Sequence, residues 1–300
     1  WGLRQIGLDP AQHTQISSDI LSGIDMVHAT YYQAPPPHPQ SLSIPLISTL
    51  HDMTPELMPE HVPQLNPHRH KQAWLEVSNA VVSVSHATAS ALQEHWPHLA
   101  DRLHVIHLGT PFWNQSGKPL NKLPTSPFLL FVGRRDNYKQ ASMLWKALST
   151  LGTGHLVMAG GGALKIHELR QLKKLRIDQR VHTVNPCDSE LAWLYRTCAA
   201  LLVPSLSEGF SLPLIESLAC DAPIIASDIA VHREIGKEFA HLISPQDIHT
   251  WQDAITTALS NKLTRPTQLL NPNTYTKLKS YYSTERMVAE HLVLYNSLKR

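Results

Sequence analysis

The sequence predicts an α/β protein made of two doubly wound units, each with a parallel sheet. Three observations carry this. Short apolar runs of strand length recur along the chain, amphipathic segments of helix length separate them, and a Pro-, Gly-, Asn-, Lys- and Ser-rich stretch divides the series in two. Strand alternating with helix implies crossover connections, and hence parallel sheets covered on both faces.

The first series comprises Met26 to Ala29, Pro45 to Leu50, Ala80 to Val84 and Leu103 to His107. The second comprises Phe128 to Val132, His155 to Ala159, Val181 to Thr183, Ala200 to Val203 and Ile224 to Ala226. Leu164, Leu169, Leu172 and Leu175 form one helical stripe. Leu191, Leu194, Tyr195 and Cys198 form another, opened by Asp188 as its cap. A last helix, about Thr284 to Leu298, is expected to bury Met287, Val288, Leu292 and Tyr295. Pro35 to Pro39 reads as a loop, and Pro111 to Pro127 as an interdomain linker. The expected organisation is an acceptor-side domain over 1–111, a donor domain over 112–282 and a terminal helix over 283–300. Ligands of such sheets bind beyond the carboxyl ends of the strands, so two facing units would enclose a cleft.

Composition narrows the function. Hydrophobic residues are 42% and charged residues 17% of 300, which is enough to fill sizeable cores. A net charge of +2 is too small for a nucleic-acid-binding face. It suits anionic small molecules or weak contact with an acidic membrane surface. The 19 histidines show no zinc-motif spacing with Cys or Glu and are expected mostly on the surface. Three cysteines, Cys187, Cys198 and Cys220, argue against a disulfide scaffold and for a reducing compartment. No signal peptide and no apolar run of about 18 residues is seen, so the expected setting is the cytoplasm, including the inner face of the membrane. The chain opens on Trp1 rather than Met, and the first domain has about four strands, so sequence is expected upstream.

Three constellations carry chemistry. The strongest is Ser207-Glu208-Gly209-Phe210-Ser211-Leu212-Pro213-Leu214-Ile215-Glu216, directly after a strand. Gly209 allows close backbone approach, and Pro213 suits the first turn of a helix. The positive end of that helix would suit an anion such as a diphosphate. On spacing alone, an ordinary strand–turn–helix with Glu216 as a dipole partner explains the segment equally well. The second is Phe131-Val132-Gly133-Arg134-Arg135-Asp136-Asn137-Tyr138-Lys139, where fixed cations could neutralise a leaving pyrophosphate. By itself a solvated basic loop is the commoner explanation. The third is Thr49-Leu50-His51-Asp52-Met53-Thr54-Pro55-Glu56, in which a strand delivers His51 to its carboxyl end. Ser83-Val84-Ser85-His86-Ala87-Thr88 reads as a strand end with Ser85 capping a helix or touching substrate. Gly160-Gly161-Gly162 reads as a tight turn, and no D-x-D triplet occurs.

The Glu208-x7-Glu216 pattern with Gly-Phe-x-Leu-Pro inside it resembles the signature of glycosyltransferase family 4. Ala219 to Asp228 resembles the family's next strand, with Asp221 where the family usually has Gly, a turn position that tolerates Asp. Gly133-Arg134 and Lys139 are similar to its Gly-Arg-x4-Lys motif. The resemblance implies the GT-B architecture of two Rossmann-like domains and a retaining, metal-independent hexosyltransferase. It implies ribose contact for Glu216, and donor-sugar contact for Glu208, Gly209, Phe210, Ser211, Leu212 and His51. Gly133, Arg134 and Lys139 would bind diphosphate. Arg135 inherits no role, and the loop Val231-His232-Arg233-Glu234 is expected to be structural.

The substrates implied are a nucleotide sugar (GDP-mannose or a UDP-hexose) and a saccharide or lipid-linked acceptor, with no cofactor and no metal. Peripheral membrane contact through the first domain would suit a lipid acceptor. The family's Gly-rich loop near the start is missing, so the first domain reads as truncated. That leaves a non-catalytic nucleotide-binding or scaffold protein as the alternative. An epimerase or phosphorylase of the same architecture is a further one.

Overall fold

The computed structural model describes residues 23–32, 44–61, 68, 70–120, 123–124, 127–135 and 137–299. Pro35 to Pro39 and Asp136 lie outside them. Contacts divide the chain into two compact units, Trp1–Ile106 with Glu290–Arg300, and His107–Ala289.

The first unit holds a parallel sheet of four strands in sequence order, β1 (Val27–Ala29), β2 (Leu46–Leu50), β3 (Ala80–Ser83) and β4 (Leu103–Val105). Strands β2 and β3 are buried along their whole length, which is why they read as unbroken apolar runs. Their helices are α1 (Thr54–Leu57), α2 (Lys71–Val77) and α3 (His86–His95). Ser85 caps α3, its side chain accepting from Thr88 N at 3.0 Å. Buried Lys71 donates to Glu56 Oε2 at 2.6 Å and to the Asp52 carbonyl at 2.7 Å, tying α2 to the segment after β2.

The second unit holds a parallel sheet of six strands in the order β10-β9-β8-β5-β6-β7. They are β5 (Phe128–Val132), β6 (His155–Ala159), β7 (Val181–Val184), β8 (Ala200–Val203), β9 (Ile224–Ser227) and β10 (His241–Ile243). Connecting and flanking helices are α4 (Ala141–Thr150), α5 (Ile166–Lys174), α6 (Asp188–Thr197), α7 (Leu212–Ala219), α8 (Ala230–Gly236), α9 (Ile248–Leu259), α10 (Pro266–Leu269) and α11 (Pro272–Tyr281). The chain builds outward from β5 through β6 to β7, then returns to β8 on the other side. The switch point of this sheet therefore lies between β5 and β8, and the loops leaving both strands border it.

Several details differ from the sequence reading. Strand β10 is too short, at three residues, to stand out as an apolar run. In α5 the buried positions are Glu168 and Leu172, while Leu169 is 40% exposed, because an ion pair replaces one apolar contact. Helix α6 is capped by Cys187 rather than Asp188, since the Cys187 N–H donates to Glu190 Oε2 at 3.0 Å in a capping box. The last helix, α12 (Thr284–Leu298), buries Leu294, and Val288 and Leu292 are exposed. Met287 and Tyr295 are half-buried, and the Tyr295 hydroxyl lies 2.6 Å from His28 Nδ1. Pro111–Asn114 forms a 3₁₀ turn with Phe112 buried, and Lys118 N donates to the Ser189 carbonyl at 2.9 Å. This part of the linker is packed on α6. His107 and His232 are buried, against the expectation of surface histidines, because each has polar partners inside the fold.

Candidate functional site

The two loops at the switch point are joined to each other. Gly133 leaves β5 at φ 128°, a conformation open to glycine, and its N–H donates to the Ala159 carbonyl at 2.9 Å. Arg134 follows, exposed, and Asn137–Lys139 make a 3₁₀ turn. The Leu206 N–H then reaches across to the Tyr138 carbonyl at 2.8 Å. Beside that bond, Lys139 Nζ donates to Glu208 Oε1 at 2.7 Å, and Ser205 Oγ donates to the same oxygen at 2.7 Å. The lysine and glutamate side chains are only 18% and 10% exposed, so this pair is shielded but reachable.

Glu208 leads into α7. Ser211 takes left-handed geometry, φ 74° and ψ 67°, and turns the chain sharply into the helix. Its buried Oγ has no hydrogen-bond partner among the described residues. Pro213 occupies the first turn, as the sequence suggests. Phe210 is buried against the rings of His107 and Tyr282, at 5.8 and 6.2 Å between centroids. Its side chain anchors the loop, which leaves only its backbone available for a ligand. His107 is fixed in turn by Glu234 Oε1 at 2.5 Å and by the Tyr281 hydroxyl at 2.8 Å.

Glu216 sits a turn into α7 and accepts from the Tyr195 hydroxyl at 2.6 Å. Burial pushes its carboxyl above the usual range. The Tyr195 hydrogen bond opposes this, and nearby Asp188 adds to it. His232 donates from Nδ1 to the Ser227 carbonyl at 2.8 Å. Its Nε2 is buried with no partner among the described residues. Burial holds this imidazole below its ordinary value, with Glu208 opposing and Lys139 assisting.

Arg135 faces away from this chemistry. Its guanidinium forks onto Glu168 at 2.8 and 3.2 Å and donates to the carbonyls of Gly160, Gly161, Gly162 and Ala163. It thereby clasps the glycine turn, where φ is 85°, 72° and 70°. Burial works to raise Glu168, but the bonds from Arg135 and the Lys165 N–H outweigh it and hold the carboxyl low.

The structure thus gathers Gly133, Lys139, Glu208 to Leu212 and Glu216 around one switch point, with Arg134 on the same loop. His51 lies in the first unit, where its Nε2 donates to the Thr30 carbonyl at 2.7 Å. In the sequence Tyr195 reads only as a member of an apolar stripe, His232 as part of a structural loop, and nothing local marks Ser205.

Residues 114–277 match the family model of the glycosyl transferases group 1, and residues 1–111 match that of Glycosyltransferase Family 4. The chain belongs to this glycosyltransferase family. It is 27% identical over 231 residues to the MMP alpha-(1->4)-mannosyltransferase of Mycolicibacterium hassiacum, covering 72% of this chain and 53% of that protein. It is 31% identical over 183 residues to the D-inositol 3-phosphate glycosyltransferase of Mycolicibacterium smegmatis, covering 55% and 42%. Over 67 residues it is 43% identical to the O-antigen chain mannosyltransferase RfbU of Salmonella typhimurium, covering 22% and 19%. The chain spans about half the length, or less, of these curated relatives.

Among solved structures, sucrose-phosphate synthase from Thermosynechococcus elongatus matches with a TM-score of 0.70 at 21% identity, covering 93% of this chain and 75% of that one. Anabaena Alr3699/HepE in complex with UDP-glucose matches at 0.68 and 17%, covering 85% and 73%. These likenesses identify the two parallel sheets as those of the GT-B fold.

Proposed function

We propose that this family member is a retaining hexosyltransferase. It would move a hexose from a nucleotide sugar to a saccharide or lipid-linked acceptor in surface polysaccharide assembly. The observation that carries the reading is the meeting of Lys139, Glu208 and the start of α7 at the switch point, with Glu216 one turn deeper.

Breaking a sugar–phosphate bond leaves positive charge on the sugar and negative charge on the diphosphate. Arg134, Lys139 and the positive end of α7 offset the latter. Glu208, with the backbone of Gly209 to Leu212, meets the sugar. Glu216 takes the ribose hydroxyls. Glu208 is not a nucleophile in this scheme, since its charge is already engaged by Lys139 and Ser205. The leaving phosphate takes the acceptor's proton on the face it departs from, which retains configuration and needs no metal. Mannosyltransferases among the relatives and the UDP-glucose complex of a structural neighbour support GDP-mannose or a UDP-hexose as donor. A lipid-linked acceptor would place the work at the cytoplasmic face of the membrane.

Thermal shift with UDP, GDP, ADP and their sugars, in chelator, tests the reading. A ligand that binds only the folded state raises the melting temperature by mass action. One nucleotide series should shift the wild type and fail to shift Glu216→Ala. Absence of any shift would favour a non-catalytic scaffold instead.

A further inference from the structure

We propose that Tyr195 is a positioning residue that fixes Glu216 in the orientation and ionised form needed to grip the ribose of the donor. The inference rests on the donor-site reading above and adds to it a residue outside the signature loop.

The geometry is specific. Tyr195 lies on α6, is 0% exposed, and sends its hydroxyl to Glu216 Oε2 at 2.6 Å. Its ring is held edge-on against Phe112, at 5.9 Å between centroids, and Phe112 is itself buried in the turn of Pro111–Asn114. A clamped ring makes a fixed donor. One carboxylate oxygen is then engaged by Tyr195, and Oε1 remains to accept from a ligand diol. Rotation of the carboxylate about its last torsion, otherwise broad, is stopped.

The chemistry requires such a partner. A ribose diol offers two O–H donors, and an ionised carboxylate accepts them more strongly than the neutral acid. Yet the site works against ionisation. Burial and Asp188 on α6 both push Glu216 towards the protonated acid. Tyr195 supplies the opposing effect. Burial holds the phenol itself well above its ordinary value, and Glu216, Cys220 and Cys198 push it the same way. It therefore remains a proton donor throughout the working pH range. Cys220, at the end of α7, is also held up by burial, to about 11, and stays neutral.

The test is a pH series. The nucleotide found by thermal shift is titrated calorimetrically from pH 5 to 9 into wild type, Tyr195→Phe and Glu216→Gln, with melting curves to establish folding. Wild-type affinity should rise with pH through the Glu216 midpoint and then level off. Tyr195→Phe should bind about ten-fold more weakly at neutral pH, the scale of one hydrogen bond to a charged group. Its midpoint should move to higher pH, and in turnover KM should rise far more than kcat falls. Site-specific 3,5-difluorotyrosine at 195, which keeps the ring and strengthens the donor, should move the midpoint down, and it serves if the Phe variant fails to fold. Wild-type affinity and midpoint in both Tyr195 forms would overturn the inference while leaving the donor site standing. Glu216→Gln binding like the wild type would instead overturn the ribose reading, and this inference with it.

Discussion

Glu208 and Glu216 belong to one loop and helix, yet they occupy opposite electrostatic settings. Glu208 meets a lysine and a serine hydroxyl, so its charge is compensated at the protein's own expense. Among the described residues, Glu216 accepts from a phenol, deeper in the fold, with a second carboxylate nearby. The difference teaches how a two-carboxylate signature divides its labour. The first glutamate is built into a charge pair that holds two loops together. The second is kept in a costly form whose natural compensation is a bound ligand.

The comparison can be broken most forcefully at Lys139. Lys139→Ala leaves Glu208 shielded and unpaired, and should cost about 3 kcal/mol of stability by chemical denaturation. Turnover should fall by more than about a hundred-fold, given loss of diphosphate stabilisation as well. The double variant Lys139→Met with Glu208→Gln should recover most of the stability and none of the turnover.

Glu216→Gln should do the reverse. Nucleotide affinity should drop by about a hundred-fold, on the order of two charged hydrogen bonds at the low end of their range. The ligand-free protein should become more stable at neutral pH. The sign follows from the raised folded-state value of Glu216. Its contribution is complete below the ordinary carboxyl range and is lost as pH rises through the folded value. The melting-temperature gap between variant and wild type should therefore widen across that rise.

A smaller effect separates the two neighbouring arginines from each other. Arg135→Lys cannot reproduce the fork onto Glu168 and the glycine-turn carbonyls, so stability should fall by about 2 kcal/mol. Nucleotide affinity, measured on the folded variant, should stay within about two-fold. Arg134→Lys should weaken donor binding in the same titration.

A further effect lies in the first unit. Burial holds His28 down to about 4, with His291 and His51 adding to it. A depressed histidine contributes stability above its ordinary value of 6.5 that is lost as pH falls towards 4. His28→Gln should flatten the melting-temperature profile between those limits, measured by differential scanning calorimetry.

Much of this was legible beforehand because it is local. Strand β5 and strand β6 could be bounded to the residue from apolar runs closed by Gly133 and Gly160. The Ser85 cap, the Pro213 helix start and the left-handed Asp221 turn follow from side-chain chemistry acting on adjacent backbone. The inward face of α12 was not legible. Val288 and Leu292 carry the same apolar signal as Leu294, and the Tyr295 hydroxyl meets His28 only in the fold. The same holds for Arg135, which inherits no role from the motif and finds one only when Glu168 is placed beside it.

The sequence by itself determined the alternation of strand and helix, the family signature and the residue types at the switch point, because those are matters of period and short-range spacing. Which side chain meets which charge was set by the fold. Lys139 against Glu208, Arg135 against Glu168 and Tyr195 against Glu216 each join residues 21 to 69 positions apart. Electrostatic energy depends on distance and burial in space, and neither is written in any one stretch of chain.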